Sequence, residues 1–99
     1  MRRVAPVLAA SALLLASCGG QESYTPAAGA APAQIFEQAC AACHGDKGQG
    51  KFGLLLKIAG HQEQAEVVEK IGKGGVIMPA FPNIASDDRK AVAAWLAQQ

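Results

Sequence analysis

The chain divides by the period of its apolar positions. Residues 4–16 form an apolar run with one proline, preceded by Arg2 and Arg3 and followed by small residues. As a helix it would measure roughly 20 Å against a hydrocarbon core of roughly 30 Å, too short for a span. A positive start, a short apolar run and small residues predict an export signal over residues 1–17. Residues 19–32 carry Gly19, Gly20, Ser23, Pro26, Gly29, Pro32 and several alanines with no sustained period, and read as a flexible tether. Ile35, Phe36, Ala39, Cys40 and Cys43 then recur at three- and four-residue spacing, one face of a helix running into Gly45. Residues 45–53 hold four glycines and read as loop, followed by the short apolar run Leu54-Leu55-Leu56. A polar helix over residues 61–73 carries apolar Ala65, Val68 and Ile71, with Gly74 at its stop. Residues 74–84, with two glycines and two prolines, read as a second loop. Ser86 is the expected N-cap of a last helix, Asp87 and Asp88 complement its positive end, and Val92, Trp95 and Leu96 form its apolar face.

This pattern gives an all-α domain over residues 34–99, with three main helices and long loops, behind a signal (1–17) and a tether (18–33). Loops of that length need something to fold around. Composition sharpens the point. Hydrophobic types make up 51 % of the 99 residues, but 21 residues are alanine and only 5 % are aromatic. Residues 34–99 hold 18 large apolar side chains. A folded unit below roughly 70–80 residues usually needs a staple such as a disulfide, metal or cofactor. The net charge of +1 argues against a nucleic-acid binder. Loss of residues 1–17 removes two arginines and leaves seven basic against eight acidic residues, so no global field steers a partner.

The three cysteines cannot all pair within one chain. Leu15-Ala16-Ser17-Cys18 resembles the lipobox of bacterial lipoproteins, which implies cleavage before Cys18 and attachment of diacylglycerol to its sulfur. More than one acyl chain makes membrane anchoring stable. Cys40-Ala41-Ala42-Cys43-His44 is C-x-x-C-H, the attachment signature of a c-type haem. Positions i, i+3 and i+4 share a helix face, so Cys40 and Cys43 reach two vinyl groups on one porphyrin edge while His44 offers a nitrogen to the iron. The cysteines thus divide into one lipid site and one haem pair, leaving no disulfide. Rival readings of the same residues are a zinc site, a thiol-redox pair and a lone disulfide. Zinc wants four ligands, and adjacent Cys43 and His44 make a poor tetrahedral pair. A thioredoxin-like pair belongs beside a βαβ pattern, and none is visible.

Met78 is the only methionine after the signal and lies in Gly74-Gly75-Val76-Ile77-Met78-Pro79-Ala80-Phe81. Glycine lets this loop approach a cofactor and Pro79 stiffens it beside the sulfur. Met78 is therefore the expected second axial ligand, with core filler as its alternative role. His/Met ligation raises the reduction potential relative to His/His. His61 is a rival ligand, and Lys47, Lys51 and Lys57 are candidates for a docking patch.

With these motifs the chain resembles the small class I bacterial cytochromes c over about residues 34–99. The likeness rests on Cys40-Ala41-Ala42-Cys43-His44-Gly45, Met78-Pro79-Ala80-Phe81 and Val92-Ala93-Ala94-Trp95-Leu96. It implies the cytochrome c fold wrapped around one covalent haem c, with Phe36 and Trp95 where the first and last helices cross. It also implies one-electron transfer through an exposed haem edge, with no catalysis. Expected partners are a donor complex and an oxidase, reductase or peroxidase acceptor, met by a monomer outside the cytoplasm, periplasmic if so exported, and held to the membrane through Cys18. The alternative is a haem subunit of a larger oxidoreductase. The family often has Gly-Pro-x-Leu before the middle helix, where the proline carbonyl accepts a hydrogen bond from the axial imidazole. Gly53-Leu54-Leu55-Leu56 looks like the corresponding run, which assigns that acceptor to Leu54.

Overall fold

A computed structural model describes residues 22–99. The signal, the start of the tether and Cys18 lie outside the described residues. Among those described there are four α-helices, one short 3-10 turn and no strand, only an isolated antiparallel bridge between Lys51 and Leu55. None of the helices is long and apolar enough to cross a membrane.

Helix α1 (Pro32–Ala39) opens on a proline, which suits a first-turn position because its missing N–H has no helical partner to lose. It buries Ile35, Phe36 and Ala39, the face read from the sequence. The helix does not run unbroken to His44. Cys40 has φ −118°, well away from the helical value, and bends the chain before α2 (Ala41–His44) adds one further turn. Gly45 then takes φ 77°, ending α2 as expected, and a 3-10 turn (Asp46–Gly48) follows.

Helix α3 (Gln64–Lys73) begins three residues later than its pattern suggested. Glu63 is non-helical and offers no side-chain cap. Gly74 ends α3 at φ 72° and donates its N–H to Lys70, as the sequence expects. Helix α4 (Ser86–Ala97) carries Asp87 and Asp88 in its first turn. Ser86 is its first helical residue and not its cap. Ala85 takes the extended cap conformation and no side chain bonds there.

The core joins α1, α3, α4 and the loop between the last two. Ile71, Phe81, Ile84, Val92, Ala93 and Leu96 close on the buried face of α1. Phe36 and Trp95 meet with ring centroids 5.2 Å apart and planes inclined by 42°, so the expected helix crossing is present. Two bonds hold the α3–α4 loop against it: Phe81 N–H to Ile71 O at 2.8 Å and Arg89 Nε to Ile84 O at 2.7 Å.

The segment before α1 departs from the tether expected to reach Pro32. Tyr24 and Ala30 pack against the core. The Tyr24 hydroxyl donates to Gln38 Oε1 at 2.7 Å, and Asn83 Nδ2 donates to Ser23 O at 3.3 Å. Burial raises the Tyr24 phenol above its ordinary pKa, with the Cys40 thiol and the Asp88 carboxylate adding to the shift. One aromatic ring thus clasps an otherwise featureless stretch to the domain.

Candidate cofactor site

The C-x-x-C-H residues sit where α1 bends into α2. The bend at Cys40 keeps its thiol inside: Cys40 is buried, and desolvation pushes it up to about 12, so it stays neutral at physiological pH. Cys43 and His44 are half-buried.

His44 is oriented by a residue far along the chain. Its Nδ1 lies 2.7 Å from Leu56 O. A carbonyl only accepts, so Nδ1 carries the proton and Nε2 keeps the lone pair that ligates a metal. This is the hydrogen bond the family resemblance implies, but its acceptor is Leu56 and not Leu54. The match to Gly-Pro-x-Leu shifts by two residues, placing Leu56 at the proline position and Ile58 at the leucine, and Ile58 indeed lines the cavity. Leu56 supplies the carbonyl from a left-handed conformation, φ 62°.

Two hollows flank these residues, each about 630–640 Å³ counting space open to solvent. Cys40, His44 and Met78 line both. The first is walled by Phe36, Ile58, Val67, Ile71, Val92 and Leu96, and its polar end is His61, Glu66 and Lys70. The second adds Cys43, Leu56, Ile77, Pro79 and Phe81. Both are overwhelmingly apolar in lining, as cofactor sites are. The Met78 loop is folded back by Gly75 N–H to Met78 O at 2.9 Å. At Gly74 an added Cβ would lie 2.7 Å from Ala80 N and 2.8 Å from Met78 O, so only glycine fits. His61 shares the first cavity, but its Nε2 faces Glu66 Oε2 at 3.6 Å.

These residues fit a haem. An apolar hollow holds two cysteines at one side, an imidazole with its lone pair kept free and a thioether. They do not fit zinc: among the described residues no three His, Cys, Asp or Glu side chains converge as a metal cluster. A sulfur holds either a disulfide or a thioether, so haem attachment requires Cys43 as the thiol.

The sequence model of the family described as Cytochrome C oxidase, cbb3-type, subunit III matches residues 27–96. Cytochrome c-550 of Bacillus subtilis (strain 168) is 36 % identical over 72 residues, covering 72 % of this chain and 59 % of that protein. The chain thus spans less than two thirds of this relative's length. Cytochrome c-551 of the same organism is 29 % identical over 101 residues, covering 91 % of this chain and 88 % of that protein. Among solved structures, the c-type cytochrome NirC superposes with a TM-score of 0.53 at 19 % identity, over 67 % of this chain and 84 % of that one, a likeness of fold. An all-α domain with C-x-x-C-H at a helix bend, a crossing of first and last helices and these relatives place the chain in that cytochrome family, as a small bacterial c-type cytochrome with one covalent haem c.

Proposed function

We propose that this protein is a one-electron carrier whose iron is ligated by His44 and Met78, tethered through a lipidated Cys18 to the extracytoplasmic face of a membrane. Bound haem c supplies an iron that alternates between ferrous and ferric states. Cys40 and Cys43 hold the group covalently, and Leu56 O fixes the His44 tautomer. Phe36, Ile58, Ile71, Val92 and Leu96 would exclude water from it, and ligation by both His44 and Met78 would leave no position for a substrate. The observation that carries the reading is the Nδ1 bond of His44 to Leu56 in a cavity that Met78 also lines. Partners are a reducing complex on one side and an oxidase, reductase or peroxidase on the other.

Spectroelectrochemistry of the haem-loaded protein and of Met78→Ala tests the ligand pair. The variant should keep its covalent haem, titrate at a lower potential and bind added imidazole. An unchanged potential with no new ligand binding would overturn the assignment of Met78. A second reading, a haem subunit fixed in a larger oxidoreductase, draws on the description of the matched family. It requires stoichiometric co-purification with a larger enzyme, where a carrier exchanges freely.

A further inference from the structure

The loop between the 3-10 turn and Ile58 is shaped unlike the rest of the molecule. Lys51 N–H donates to Leu55 O at 2.8 Å, closing a narrow turn with Phe52, Gly53 and Leu54 at its tip. Phe52 is 91 % exposed, Leu54 74 % and Leu55 64 %. Phe52 also holds a left-handed conformation, φ 51°. Leu56 uses such a conformation to aim its carbonyl at His44. Phe52 and Gly53, at φ 51° and 85°, are successive left-handed residues of the kind that closes a tight turn, and that turn leaves the Phe52 ring in solvent. None of Phe52, Leu54 and Leu55 lines the cofactor cavities.

Charge is segregated onto the same loop. Residues 47–57 contain Lys47, Lys51 and Lys57 and no acidic residue, while the other described residues hold four basic and eight acidic ones. Gly48 O accepts from both Ile58 and Ala59 N–H at 2.9 Å, which draws the two ends of the loop together and gathers the exposed lysines around its base.

We propose that this tip is a membrane-docking element. Phe52, Leu54 and Leu55 enter the interfacial region of a bilayer, and Lys47, Lys51 and Lys57 contact anionic lipid headgroups. The convex shape favours lipid over a protein partner. A projecting, separately solvated Phe and Leu pair needs a complementary pocket in a protein but none in a fluid apolar phase. Lysines around apolar side chains are the usual chemistry of interfacial segments. The proposal deepens the tethered-carrier reading and rests on it only for local concentration, since a short linker to Cys18 keeps the surface within reach. Docking would set the orientation of the haem site, because Leu56, the residue after the turn, holds His44.

The test uses haem-loaded protein carrying Cys18→Ser, which is water-soluble whatever the native fate of that residue. Its partition is measured into vesicles of phosphatidylcholine, alone or mixed with phosphatidylglycerol. Binding should require the anionic lipid. The Phe52→Ser/Leu54→Ser variant should bind at least tenfold more weakly. Replacing the three lysines with glutamine should cost about fivefold for each, or about a hundredfold. An unchanged haem spectrum verifies that the variants are folded. Equal binding to both vesicle types, or equal binding by the serine variant, overturns the proposal. So does a serine variant that keeps its vesicle binding but is reduced more slowly by a redox protein, which would make the tip a protein-docking element. Mass spectrometry of native Cys18 answers separately whether the lipid tether exists, so one idea can fail without the other.

Discussion

Truncating Phe36 should unfasten the helix crossing on which the site is built. Its side chain is 1 % exposed, meets Trp95 at 5.2 Å and lines the first cavity, so no water or neighbour replaces the ring when it is removed. Phe→Ala in a packed interior costs about 3–5 kcal/mol. A domain of this size has a total stability of about 4–12 kcal/mol. Phe36→Ala should therefore remove a quarter or more of the stability and lower Tm by about 12 °C or more, at 4–8 °C per kcal/mol. The aromatic contact itself accounts for about 0.5–1.5 kcal/mol. A double-mutant cycle with Trp95→Leu separates that share from simple loss of volume. The assay is thermal unfolding of the haem-loaded protein by far-ultraviolet circular dichroism. A fall in Tm under 4 °C, or a cycle with no coupling, would show that the crossing does not hold the site together.

Gly74→Ala should lose more than about 1 kcal/mol, since the new Cβ meets Ala80 N and Met78 O while φ stays at 72°. Its haem spectrum should report a disturbed methionine side, whereas Gly53→Ala, where nothing lies within 4 Å of the added carbon, should leave that spectrum intact. The haem-free protein should show no cooperative melt, because cofactor contacts make up much of the core; a sharp, native-like transition would contradict this.

The sequence made the chemistry legible because covalent attachment needs fixed spacing: Cys40, Cys43 and His44 leave few other uses for their pattern. Stops were legible where φ turns positive, at Gly45 and Gly74. Starts were less so. Ser86 is a better capping side chain than Ala85, yet the extended backbone falls on Ala85, and tertiary packing of α4 fixes that register. The acceptor for His44 was misplaced by two residues because a leucine in a left-handed conformation has no local signal, and three successive leucines offer three equivalent carbonyls. Tyr24 was overlooked for a related reason. Its neighbours are glutamate, serine, threonine and proline, so no period announces that one ring among them will find Gln38 and the core.

The end of α4 has a bearing on the order of events during synthesis. Gly60 N–H donates to Leu96 O and Gln62 Nε2 donates to Ala97 O, both at 2.9 Å, so the last helix fastens the loop in the middle of the chain. Helix α4 also packs on α1, next to Cys40. Neither contact can form before residue 97 exists. At about 5–20 residues per second, the chain from His44 to that point takes about 3–10 s to make. The contacts that close the domain over Cys40, Cys43 and His44 therefore form only after nearly all of the chain has been made, and until then the residues that hold the cofactor lack the Val92 and Leu96 wall of their cavity.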